Sequence, residues 1–211
     1  MNKKILPLGA IGANCVVLWN DPAAAWIVDP GAEPELLFDL LAENSLTPVL
    51  IALTHGHFDH IGAIPALSKK FPGLPVHIGP DDAPIAFDPR NAWEPDYSAT
   101  SRPATLVADL VDGFTLAAGG LSAKIIATPG HTSGGVCFHF EADQLLLSGD
   151  TLFAGSCGRT DFPGGDAASL RTSLRRLAAL PPATAVIPGH GEPTTIAAEL
   201  VGNPFLNSHE F

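Results

Sequence analysis

The sequence predicts an α+β chain in four layers, two β-sheets packed face to face with helices over both outer sides. Two observations predict it. Short apolar runs of strand length recur along the chain, each ending in a polar turn, while leucines at helical spacing mark separate segments. In both halves of the chain the strands come first and the helices later.

The elements follow in order. Val16, Val17, Leu18 and Trp19 face Ala25, Trp26, Ile27 and Val28 across Asn20, Asp21 and Pro22, which reads as a hairpin. Leu36, Leu37, Leu40 and Leu41 predict a helix over 34–44. Residues 49–53 form an apolar run, and 60–71 reads as one helix, with Pro65 early and Lys69 and Lys70 near its C-terminal end. Residues 80–103 mix Pro, Asp, Asn and Ser with Trp93 and Tyr97, so a short helix followed by a long loop is expected there. Further strands are read at 124–127, 136–138, 145–147 and 185–187. A helix over 166–180 turns Leu170, Leu174, Leu177 and Leu180 inward and Arg171, Arg175 and Arg176 outward. No linker or low-complexity tract divides the chain, so residues 1–211 are expected to form a single domain.

Composition narrows the function classes. Apolar residues make up 46% of 211, which suits a packed core, yet the longest apolar runs are near six residues and cannot span a bilayer. The start of the chain, Met1 to Pro7, lacks an apolar signal core and reads as a first strand in a cytoplasmic protein. A net charge of −11 opposes binding to nucleic acid or to an anionic membrane. A metal site would reverse that sign locally, so anionic small substrates stay open. Cys15, Cys137 and Cys157 are odd in number with no CxxC spacing, so neither a disulfide framework nor a cysteine-based zinc site follows.

The densest chemistry follows the run 49–53. His55, His57, Asp59 and His60 fall within six consecutive positions at a strand end. Neutral imidazole and carboxylate are the donors that a borderline divalent ion such as zinc prefers. Three other strand ends contribute His131, Asp150 and His190, each directly after a glycine (Gly130, Gly149 and Gly189) that frees the backbone to turn sharply. Five histidines and two aspartates suit two ions better than one. Two ions roughly 3.5–4 Å apart can stabilise an attacking hydroxide and the developing charge together.

His55-Gly56-His57-Phe58-Asp59-His60 with His131, Asp150 and His190 resembles the metallo-β-lactamase-fold hydrolases, and the match spans nearly the whole chain. The resemblance implies an αββα sandwich. It also implies one metal on His55, His57 and His131, a second on Asp59, His60 and His190, and Asp150 as the bridge, with Asp59 and Asp150 as the catalytic carboxylates. Asp29 matches a position that braces a ligand in such proteins, and an acidic turn residue after a strand is an equally good reading. Residues 129–135 and 148–153, with Gly155 to Asp166, are similar to the short bacterial glyoxalase II-like branch, which implies hydrolysis of a thioester such as S-lactoylglutathione. Longer glyoxalases II add a helical domain that helps hold glutathione, whereas this sequence runs 21 residues past His190. It also has Arg159 and Asp161 where they place Lys and Tyr, so their glutathione contacts do not carry over.

The chemistry points to an activated acyl group on its own account. Metal coordination lowers the pKa of water from 15.7 to about 7, and a thiolate leaving group, thiol pKa about 8.5, departs without a strong acid. Arg159 is expected either to pair with a substrate carboxylate or to pin its loop through Asp161. Arg90 and Arg102 read as solvated charge, Trp93 and Tyr97 as loop packing, Phe153 and Phe162 as core, and Cys157 as a small apolar filler. His77, His139 and His209 receive no catalytic role. The rival reading is a mononuclear iron persulfide dioxygenase of the same superfamily, which would use His55, His131 and Asp150. A nuclease is opposed by the net charge, a noncatalytic metal module by the ligand types, and a β-lactamase role lacks the support of a secretion signal.

Overall fold

The strands pair into two six-stranded sheets, which include the predicted runs and also short strands the sequence reading did not name. In the first, β1 (Asn2–Leu8), β2 (Ala13–Trp19), β3 (Ala24–Val28), β4 (Thr47–Ala52), β5 (Val76–His77) and β6 (Leu106–Val107) lie side by side in chain order. The second comprises β7 (Thr115–Ala118), β8 (Leu121–Ala127), β9 (Val136–Phe140), β10 (Leu145–Gly149), β13 (Ala185–Pro188) and β14 (Thr194–Thr195), in spatial order β14-β13-β10-β9-β8-β7. A small hairpin, β11 (Leu152–Phe153) with β12 (Ser156–Cys157), stands between them in sequence. The helices are α1 (Pro34–Glu43), α2 (Phe58–Ile61), α3 (Ile64–Lys70), α4 (Ala83–Ala86), α5 (Ala167–Ala178), α6 (Ile196–Gly202) and α7 (Pro204–Asn207). This computed structural model describes residues 1–20 and 23–207. Asp21 and Pro22 of the expected hairpin turn, and His209, lie outside them.

Side-chain alternation along the strands explains the four layers. Val16, Leu18, Trp26, Val28, Leu50 and Ala52 face inward, where Phe138, Phe140, Leu145, Leu147 and Ile187 of the second sheet meet them. Their neighbours Cys15, Val17, Ile27 and Ile51 point the other way and pack against Leu37, Leu40 and Leu41 of α1 and against Ile64 and Leu67 of α3. On the far side, Cys137, Leu146 and Val186 pack on Leu170, Leu174 and Leu177 of α5. The period of two therefore feeds one core between the sheets and one under each helical layer. Phe138 is fully buried between the sheets, and trimming it to Ala would cost about 3–5 kcal/mol.

Strand direction places the chemistry. β3 and β4 are parallel, β10 and β13 are parallel, and β8 runs with β10 because each pairs antiparallel with β9. All of these strands deliver their C-terminal ends to one edge of the sandwich. The sheets are joined there: Asn14 N–H donates to Gly189 O at 2.7 Å and Val136 N–H to Thr54 O at 2.8 Å.

Two helices differ from expectation. Leu36 of α1 is 48% exposed, so Leu37, Leu40 and Leu41, with the half-buried Phe38, make its apolar face. The single helix expected over 60–71 is two, α2 and α3, broken at Gly62 and Ala63. Pro65 lacks an N–H and sits in the first turn of α3, which favours a fresh start there. Gly62 meanwhile lies so close to Gly31 O that a side chain would collide with it. Among the described residues no helix is long and apolar enough to cross a membrane.

Candidate metal centre

All seven candidate ligands meet at that sheet edge. The turn after β4 carries His55, His57, Asp59 and His60; His131 follows β8, Asp150 follows β10 and His190 follows β13. Two glycines make the convergence feasible. Gly149 has φ +49° and sits against Thr54, so a side chain there would be strained and obstructed. A Cβ on Gly189 would strike Asp150 Oδ1 and crowd His60.

The ligand atoms form overlapping groups. Donor atoms of His55, His57 and His131 lie within 4.8 Å of one another, as do those of Asp59, His60 and His190. His131 Nε2 is 2.9 Å from His57 Nδ1. His190 Nε2 is 3.1 Å from Asp59 Oδ2, and His60 Nε2 is 3.5 Å from it. Asp150 stands between the groups, with oxygens 3.4 Å from His131 Nε2, 3.6 Å from His190 Nε2 and 3.7 Å from His60 Nε2.

Hydrogen bonds on the outer side of each ring decide which nitrogen faces inward. Thr54 Oγ1 donates its one proton to Asp29 Oδ2 at 2.6 Å, so it accepts from His55 Nδ1 at 3.0 Å. His60 Nδ1 faces Asp29 Oδ2 at 3.1 Å, His131 Nδ1 faces Arg159 O at 2.8 Å, and His190 Nδ1 faces Ile11 O at 3.3 Å. Four rings thus anchor Nδ1 outward and turn Nε2 to the centre, as outer partners do for metal-ligating histidines. His55 Nε2, His60 Nε2 and Asp150 Oδ1 are buried with no hydrogen-bond partner, an arrangement that calls for a cation. The donor set therefore fits divalent metal ions.

Asp29 is a bracing residue rather than a simple turn acid. It is 2% exposed and takes Thr54 N–H at 2.8 Å besides its bonds to Thr54 Oγ1 and His60. A second buried carboxylate, Asp82, binds both ligand loops. Its oxygens accept from Gly56 N–H at 2.9 Å, Thr132 Oγ1 at 2.8 Å and Gly134 N–H at 2.6 Å. Asp82 precedes α4 and has Pro84 just after it, which looks like a helix cap, but its side chain makes no cap hydrogen bond and reaches sideways instead.

Charge separates the two groups. Burial, then the neighbouring imidazoles, push His55 well below its ordinary pKa; burial and His131 bring His57 to about 3. Burial also opposes a proton on His60 and on His190, but the surrounding carboxylates outweigh it and hold both above the ordinary value. The same contacts overcome the burial of Asp59 and lower it to about 2.

A cleft of about 620 Å³ opens onto the centre, bordered by His57, Asp59, His131, Asp150 and His190. Its walls include Ile11, Phe58, Trp93, Phe153, Cys157 and Phe162. Three expectations change here. Phe153 and Phe162 line the cleft instead of filling the core, Trp93 is a wall residue at 52% exposure, and Cys157 stands at the cleft as well as against the α5 core. Tyr97 is buried against Phe58, as loop packing. Arg159 also borders the cleft, but its guanidinium is forked onto Asp161 at 2.6 and 2.7 Å and lies 4.0 Å over the Phe162 ring. Arg90 is an exposed charge forked onto Asp88. Sequence reasoning missed the supports of the β11–β12 wall. Glu199, 4% exposed, accepts from Gly155 N–H at 2.8 Å, and Asn203 Nδ2 donates to Ser156 O at 2.9 Å.

Residues 8–190 match the family model of the metallo-β-lactamase superfamily. The chain belongs to this superfamily. Hydroxyacylglutathione hydrolase GloC of Haemophilus influenzae is 36% identical over 211 residues, covering 99% of each chain. Among solved structures, BLEG-1 B3 metallo-β-lactamase is 39% identical with TM-score 0.91, covering 98% of this chain and 100% of that one. TTHA1623, solved in a di-iron-bound form, is 37% identical with TM-score 0.82, covering 96% and 100%. As a metallo-β-lactamase superfamily member with this His/Asp cluster, the protein is a metallohydrolase.

Proposed function

We propose that the protein is a binuclear thioester hydrolase of the glyoxalase II type, with S-lactoylglutathione as a first test substrate. The outward anchoring of four imidazoles, which turns four Nε2 atoms to the centre and brings three of them to Asp59 and Asp150, carries this reading. His55, His57 and His131 would hold one ion, Asp59, His60 and His190 the other, and Asp150 both. Zinc suits this imidazole and carboxylate set; the di-iron form of TTHA1623 makes iron the first alternative to test. Bound, the ions supply ionised water at neutral pH and positive charge for the developing oxyanion.

The protein's own residues do the rest. Asp59 Oδ2 and Asp150 flank the centre and orient the attacking water, while Asp29, Thr54 and Asp82 keep the ligand loops from shifting. The apolar walls exclude bulk water from the acyl carbon. A thiolate leaves without a proton donor, whereas an amide nitrogen needs one. The name of GloC supports a glutathione thioester, and that of BLEG-1 makes a β-lactam the competitor.

Metal analysis of the purified protein, paired with three assays, tests the reading. Loss of S-lactoylglutathione, nitrocefin opening and oxygen uptake with glutathione persulfide would be followed side by side. Two ions per chain with thioester turnover is the expected result. One iron with oxygen uptake would establish the dioxygenase instead, and nitrocefin turnover without thioester turnover would establish the β-lactamase.

A further inference from the structure

The cleft wall says which acyl group the site takes. Ile11, Phe58, Trp93, Phe153 and Phe162 come from five separate segments and surround one opening. Scattered exposed apolar side chains are ordinary. Here Trp93 at 52%, Ile11 at 38% and Phe162 at 38% gather at a single mouth above the catalytic carboxylates. Contiguous exposed apolar surface leading into a cleft marks a binding wall.

The charges around the wall point the same way. Arg159 spends its guanidinium on the fork with Asp161 and on the face of Phe162, so the pair presents a neutral, stacked surface to the cleft. Resting on thioester hydrolysis as proposed above but departing from its hydroxyacyl test substrate, we infer that the preferred substrate carries an uncharged, apolar acyl chain, rather than a hydroxylated or carboxylated one. Hydrolysis then follows the ordinary balance: water adds to the carbonyl carbon, the C–S bond breaks, and the products are the fatty carboxylate, the thiol and one proton.

A single series tests this. The metal-loaded enzyme would be assayed with acetyl, butyryl, hexanoyl, lactoyl and succinyl thioesters of one neutral thiol, N-acetylcysteamine. Burying each added methylene predicts about a fourfold rise in kcat/KM from acetyl towards hexanoyl, with succinyl lowest. Trp93→Ala and Phe162→Ala should flatten that slope; both side chains are exposed enough for the fold to survive their loss. A flat or falling slope, or lactoyl or succinyl ahead of hexanoyl, overturns the inference while leaving thioester hydrolysis standing. No turnover of any member overturns the inference alone if S-lactoylglutathione is still hydrolysed, and sinks the thioester reading with it if that substrate is inert as well.

Discussion

The two ligand groups face each other across Asp150 but are built on different principles. His55, His57 and His131 contain no carboxylate of their own. They come from loops of two different sheets, and Asp82 ties those loops together without touching a ring nitrogen. Asp59, His60 and His190 include their own acid and lean on Asp29 and the Ile11 carbonyl. The first group consists of imidazoles alone and depends on position; the second includes an acid and depends on its carboxylates. A cation should therefore be lost from the first by loosening the backbone, and from the second by removing an acid.

Asp150→Ala would break the comparison altogether, because Asp150 touches both groups. Hydrolysis should fall at least about a thousandfold, and dialysed protein should retain fewer ions at both positions; a variant keeping two tight ions would show that Asp150 bridges nothing. Asp59→Ala comes next, with an expected loss of about a hundredfold or more and one ion remaining per chain. Full activity in that variant would contradict a role for the second group. Asp82→Asn sharpens the contrast. It keeps the size of the side chain but sets an amide donor where Gly56 N–H, Thr132 Oγ1 and Gly134 N–H all seek acceptors. One ion should bind about ten- to a hundredfold more weakly, and the Gly56 and Gly134 amides should exchange faster in the metal-free protein, with the other ion retained. Equal weakening of both ions would show that the clamp is not selective. Arg159→Ala is expected to do least, since exposed ion pairs contribute about 0–1 kcal/mol. KM should move about two- to fivefold, and a large drop in kcat would show that Arg159 reaches the reacting atoms.

The sequence disclosed this site unevenly, for physical reasons. The candidate metal ligands are legible because few other demands place His55, His57, Asp59 and His60 so close together, or put Gly directly before His131, Asp150 and His190. The sheets are legible because alternation along β2, β3 and β4 feeds two cores at once. Asp82 was hidden, since an acid ahead of a Pro-bearing short helix looks like a cap and nothing local reveals a partner 50 residues away. Glu199 and Asn203 were hidden likewise, because a buried polar side chain in a short helix or just after it carries no periodic signature. The aromatics misled in the opposite direction. A Phe against a cleft and a Phe against a core have the same neighbours in sequence, so Phe153 and Phe162 disclose their surroundings only once the chain has folded.

Glu199 and Asn203 fasten the β11–β12 hairpin from α6 and the residue after it, and neither touches a metal-ligand candidate. This wall of the cleft is thus held from the α6 side, while Asp150 leads directly into it and the Arg159 carbonyl just beyond it meets His131. Trp93, whose side chain takes no part in the hydrogen bonds that orient the candidate ligands, is the place where the opening can be reshaped with least disturbance below it.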